Sequence, residues 1–131
     1  MEPDLPAKAA FFRALGHPVR LAILMELAAG PKCVTDIQEL VDAPQANVSQ
    51  HLAVLRHQRL IDFHEDGKLR CYYVARPGLL KVLLRLIHGE FSVISRSKES
   101  VRRAASRRRE QEGSSCTMAK RKKGAAVARA R

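Results

Sequence analysis

The 131 residues carry 24 Lys or Arg against 13 Asp or Glu, a formal net charge of +11, with 46% apolar residues. A chain of this length makes one domain with room for an appendage, and its apolar share suits a folded core. No apolar run approaches the roughly 18 residues of a bilayer span, and the acidic, Pro-rich start Met1-Glu2-Pro3-Asp4-Leu5-Pro6 is not a signal-peptide pattern. Three cysteines far apart in sequence argue against a secreted disulfide framework and for the reducing cytoplasm.

Residues 7 to 15 predict a short helix stopped by Gly16. Pro18 suits the first position of a second helix, which Leu21, Leu24, Met25 and Ala28 carry at helical spacing until Gly30-Pro31 ends it. An extended piece, Lys32-Cys33-Val34, follows. Thr35 with Gln38 has the spacing of a capping box and predicts a third helix through Val41. Asp42-Ala43-Pro44 makes a tight break before a fourth helix running from Pro44 or Gln45 to about Gln58.

That fourth helix serves two surfaces. At about 100° per residue, Val48, Leu52 and Leu55 fall within roughly 60° of arc and can anchor in a core. Asn47, Ser49, Gln50 and His51 lie off that stripe, where an ordinary solvated face would prefer Lys and Glu. Asn and Gln amides can form two bonds to adenine in the major groove. Two short helices joined at a sharp turn, the second exposing such groups, predict a helix-turn-helix. Gln45, Ala46, Asn47, Ser49, Gln50 and His51 are therefore the candidate DNA-contacting residues of this helix.

Two β-type runs, Leu60 to Glu65 and Leu69 to Val74, flank Asp66-Gly67, a hairpin signal. Taking Asp66-Gly67 as the two-residue turn sets Asp62 opposite Cys71. A hairpin after a recognition helix is the wing of a winged helix, and Lys68 and Arg70 on it can reach phosphates, unless they are simply solvated charges. Pro77 starts a helix with Leu79, Leu80, Val82, Leu83, Leu84, Leu86 and Ile87, more apolar surface than one small core absorbs on one face. Burial against a second copy, together with Phe11 and Phe12 of the first helix, predicts a homodimer. Its recognition helices would lie about one DNA turn (~34 Å) apart on a palindromic site. The predicted fold is thus mainly α with a small hairpin wing: a winged helix-turn-helix dimerising through its first and last helices.

Residues 97–131 hold 12 Lys or Arg and 3 Glu, a net of +9, leaving +2 for residues 1–96. The expected domains are accordingly 1–96, folded and DNA-binding, and 97–131, a basic and mostly disordered tail, though residues 98 to 112 could extend the helix. The tail favours a polyanion without reading sequence, which leaves a non-specific nucleic-acid-binding protein as the second functional reading. An enzyme is not expected: the chain has no Gly-rich phosphate loop, no His-Glu-x-x-His and no nucleophile elbow.

Three stretches together resemble the ArsR/SmtB family of bacterial metal- and metalloid-responsive repressors: Leu15-Gly16-His17-Pro18-Val19-Arg20-Leu21-Ala22-Ile23-Leu24, the run from Gln45 to Arg56, and Asp66-Gly67-Lys68 followed by Tyr72-Tyr73. The resemblance covers roughly residues 9 to 88. It implies a dimeric winged helix, an operator, and release from DNA when an inducer binds. Of the family's Cys-Val-Cys-Asp-Leu-Cys sensor motif, Cys33-Val34-Thr35-Asp36-Ile37-Gln38 keeps only Cys33. The family's site on the last helix loses its starting ligands to Pro77 and Leu79, leaving His88 and Glu90 without partners. In a winged helix the strand before the third helix pairs with the second wing strand, which would make Cys33 and Cys71 neighbours. Two thiols there suit a soft ion such as As(III), Hg(II), Cd(II) or Cu(I), a disulfide, or plain packing as small apolar groups. As(III) would need a third thiolate, for which Cys116 is the candidate. The cysteine-sensing repressor is the leading expectation, with a thiol-redox or persulfide sensor using Cys33 and Cys71 as its alternative.

Overall fold

The computed structural model describes residues 2–114, which divide into a compact unit ending at Glu90 and a second unit beginning at Phe91. The first unit opens with α1 (Leu5–Leu15), whose N-terminus is capped by the Asp4 carboxylate accepting from the Ala7 N–H at 3.2 Å. In α2 (Pro18–Ala28) Pro18 takes the first helical position, and the His17 Nδ1 accepts from the Val19 N–H at 3.1 Å. A two-residue strand β1 (Lys32–Cys33) leads directly into α3 (Val34–Leu40). The capping box expected at Thr35 does not form. Helix α3 begins two residues earlier than that box requires, so Cys33 occupies the capping position without a side-chain bond.

The recognition-type helix α4 (Gln45–His57) follows, then strands β2 (Ile61–Asp66) and β3 (Leu69–Val74), and finally α5 (Pro77–His88). The sheet is antiparallel in the order β1-β3-β2. The hairpin turn is Gly67-Lys68, not Asp66-Gly67, because Asp66 already pairs with Leu69. Gly67 has φ 63°, the positive value that a two-residue turn of type II′ demands at its first central position. The partner of Cys71 is consequently His64 rather than Asp62.

The core gathers one face of α1 to α5 and of the β2–β3 hairpin: Leu15, Ile23, Leu24, Leu27, Ile37, Val48, Leu52, Leu55, Leu60, Ile61, Tyr72 and Leu80 are all buried. Only Leu80 of α5 is fully buried; Leu79, Leu83 and Leu84 pack partly, while Val82 and Leu86 stay 62% and 58% exposed. On α1, Leu5 and Phe12 are exposed as well.

In the second unit residues 98–114 form α6 (Lys98–Ser114), over the stretch where the sequence left a helix open. Its composition explains the helix. Ala, Arg, Glu and Gln are good helix formers, the Ser97 hydroxyl accepts from the Ser100 N–H, and Glu99–Arg103 and Arg108–Glu112 pair one turn apart. The first unit ends at Glu90, six residues before the expected boundary, because α5 stops at His88 and residues 89–97 form neither helix nor strand.

Candidate nucleic-acid interface and thiol pair

Helix α4 is anchored from behind. Val48, Leu52 and Leu55 are at most 1% exposed and hold one face in the core. Gln45, Ala46, Asn47, Ser49 and Gln50 all stand exposed on the N-terminal half, where the positive end of the helix dipole favours phosphate. The amides of Asn47 and Gln50 make no hydrogen bond shorter than 3.5 Å within the described residues, so both are available to a base edge.

His51 departs from that set. Its ring is half-buried against His17, with centroids 4.3 Å apart. Burial first, and then the neighbouring His17 and Arg20, hold its pKa below the ordinary 6.5. His51 thus also packs α4 against the start of α2, with part of its ring left exposed beside the other candidate contacts. The Arg20 Nε close by is buried without a hydrogen-bond partner among the described residues.

Lys68 sits exposed in the hairpin turn. Arg70 is exposed too, but its Nε lies 3.9 Å from Glu65 and its guanidinium rests over the Phe63 ring at 4.8 Å. Arg56 of α4 packs on the same ring at 4.3 Å and donates from Nε to Asp62 at 3.0 Å. The bond from the Phe63 N–H, then that from Arg56, draws the Asp62 carboxyl below its usual range. This Arg56–Phe63–Arg70 stack ties the recognition helix to the wing. Sequence reading missed it because its members lie on three elements and share no spacing.

Cys33 and Cys71 stand directly opposite each other on β1 and β3, with their sulfurs 2.6 Å apart and both thiols free. The pairing expected from the sequence is present. A thiol capping a helix normally acidifies, yet Cys33 is pushed up to about 11, first by its hydrogen bond with Cys71, then by burial and by the charges of Cys71, Asp36 and Asp66. Cys116 lies outside the described residues. Among those residues no group of three His, Cys, Asp or Glu side chains could hold a metal ion.

A core-anchored reading helix followed by a three-stranded winged sheet defines a winged helix-turn-helix DNA-binding protein. The family model described as "Bacterial regulatory protein, arsR family" matches residues 17–62. The cadmium resistance transcriptional regulatory protein CadC of Listeria innocua is 35% identical over 81 residues, covering 61% of this chain and 68% of CadC. The crystal structure of Rv0081 from Mycobacterium tuberculosis superposes with a TM-score of 0.60 at 29% identity, covering 82% of this chain and 98% of that one. The homodimeric winged helix-turn-helix domain Mb0332 of Mycobacterium bovis shares the fold at a TM-score of 0.58 and 22% identity, over 69% of this chain and 97% of that domain. The chain belongs to the ArsR family. Its relatives are transcriptional regulators rather than enzymes, and no helix among the described residues is long and apolar enough to cross a membrane.

Proposed function

We propose that this ArsR-family regulator is a homodimeric repressor that reads a palindromic operator with Gln45, Ala46, Asn47, Ser49 and Gln50 and holds the backbone with Lys68 and Arg70. The observation that carries the reading is the split character of α4: three core anchors on one side, short hydrogen-bonding groups exposed on the other. The dimer forms through α1 and α5, whose exposed Phe12, Val82 and Leu86 ask for an apolar partner. The test is selection of bound duplexes from a random library, followed by fluorescence anisotropy at fixed salt. Gln50→Ala should cost about 1–3 kcal/mol on the selected site and little on random DNA. Equal losses on both would remove the base-reading role.

The inducer acts at Cys33 and Cys71. As(III) needs three thiolates, and the described residues supply two, so a three-coordinate site does not fit them. Two thiols suit a disulfide. The Cα separation of directly opposed antiparallel residues, about 4.5–5.5 Å, lies inside the range a disulfide spans. A peroxide oxidises one thiol to a sulfenic acid and leaves as water. The second thiol then displaces water from that sulfur, so two thiols and one peroxide become one disulfide and two waters. Operator binding by wild type, Cys33→Ser and Cys71→Ser should be titrated with hydrogen peroxide, As(III), Cd(II) and Zn(II). Release by peroxide that both variants lose supports the switch. Release by As(III) or Cd(II) alone would replace it with a soft-ion site, and normal release by both variants would end the cysteine reading.

A further inference from the structure

We infer that the cleft at the C-terminal end of α4 is a binding site for a small oxyanion, held by Arg59 and Arg76. The cleft is an open depression of about 780 Å³ between the end of α4, the base of the hairpin and the approach to α5, within the size range of small-molecule sites. Arg56, His57, Arg59 and Arg76 line it, with Asp62 as the one carboxylate. Asp62 is already taken by Arg56 at 3.0 Å. Arg59 and Arg76 form no ion pair among the described residues.

The backbone supplies an independent observation. Arg59 has φ 57° and is the only non-glycine residue with positive φ among those described. It follows the end of α4 in a paired arrangement, with the Arg59 N–H donating to the Arg56 carbonyl and the Leu60 N–H to the Leu55 carbonyl. Glycine usually fills this position because a side chain there is strained. A strained arginine on the cleft wall, where glycine would sit without strain, is the kind of outlier that binding sites hold.

DNA is a poor candidate for that use. Gln45 and His57 are twelve residues apart along α4, about 18 Å at 1.5 Å per residue, and the cleft adjoins the hairpin base rather than the turn at Gly67-Lys68. Both proposed DNA contacts therefore lie at the opposite ends of their elements. Two guanidinium forks without carboxylate partners are suited to a phosphate or carboxylate group on a small molecule.

Isothermal titration of the full-length chain with pyrophosphate and with citrate, against KCl at matched ionic strength, tests the site. Saturable binding of at least one is expected, weakened about tenfold or more by Arg59→Gly or Arg76→Gln. Arg59→Gly is the decisive variant, since its left-handed backbone accepts glycine without strain. Ala75→Glu, which adds a carboxylate to the cleft wall, should have the same effect without removing a cation. Arg102→Gln with Arg107→Gln on α6 should leave binding unchanged. The inference is overturned if the cleft variants bind as wild type does, if the α6 variant carries the loss, or if neither anion binds beyond the effect of KCl.

Discussion

Replacing Arg59 by glycine should stabilise the protein. A left-handed conformation costs an ordinary L-residue about 1–2 kcal/mol, and Arg59 adopts one at φ 57°. Glycine escapes that cost but loses more freedom on folding, worth about 0.4–1 kcal/mol. The Arg59 side chain is exposed and forms no ion pair among the described residues, so little else is lost. The difference leaves Arg59→Gly more stable by about 0.8 kcal/mol. For a compact unit of this size that raises the melting temperature by about 3–6 °C. The measurement is thermal unfolding by circular dichroism at a single protomer concentration, because the proposed dimer would make the midpoint concentration-dependent, and in buffer free of multivalent anions. Arg59→Ala keeps the strain and should melt within a degree or two of wild type. A lower midpoint for Arg59→Gly would mean that the arginine side chain contributes to folding. The strain would then need no ligand to account for it.

Three further outcomes are expected. Val82→Asp with Leu86→Asp should convert the dimer to a folded monomer by light scattering and abolish operator binding; an unchanged mass would show that α5 is not the interface. Bridging of Cys33 and Cys71 by peroxide should quicken as pH rises from 7 toward 11, since the Cys33 thiol ionises only near about 11, and a rate already level at pH 9 would contradict that assignment. Because that pKa lies above its ordinary 9.0, the contribution of Cys33 to stability is complete below pH 9 and fades toward 11. The His51 shift has the opposite sign: a pKa held below 6.5 contributes stability that is full above pH 6.5 and is lost as acid protonates the ring beside His17 and Arg20. His51→Leu should flatten that acid limb of the stability curve, and an unaltered limb would place the titrating group elsewhere.

What could be read from the sequence was what repeats along the chain. The stripe of Val48, Leu52 and Leu55 marked α4 and its buried side because helical periodicity is local. Pro18 and Gly16 mark helix ends for the same reason, and the apolar excess of α5 is legible in its sequence as more than one core can cover. What stayed hidden depends on what meets what. His51 lies one position from Leu52, close enough to the buried stripe to be drawn under His17, and nothing in its own segment announces a ring on α2. Arg59 gave no signal at all, since a left-handed helix ending is ordinarily marked by glycine. The basic tail was judged by net charge, whereas its described part is set by spacing: Glu99 and Glu112 each fall one turn from an arginine.

The hairpin register shows how a small misreading can leave a chemical conclusion standing. Moving the turn from Asp66-Gly67 to Gly67-Lys68 changes the partner of Cys71 from Asp62 to His64, a displacement of two residues. Side chains alternate faces with period two, so an even displacement keeps Cys71 on the same side of the sheet. An odd one would have put it beside Tyr72's buried face and out of reach of an oxidant. Cys33 is untouched by the change because its register is set by β1 and β3 alone. The thiol pair therefore rests on one strand contact, and a substitution that shifts the wing turn by two residues should leave its oxidation intact. An insertion of one residue in β3 between Cys71 and the turn should also spare it, since the β1–β3 pairing lies on the other side of that point. Deleting Pro31 to slide β1 by one residue should instead separate Cys33 from Cys71 and abolish bridging while α4 and operator reading persist. Bridging that survived the slide would mean the two thiols meet by flexibility rather than by register.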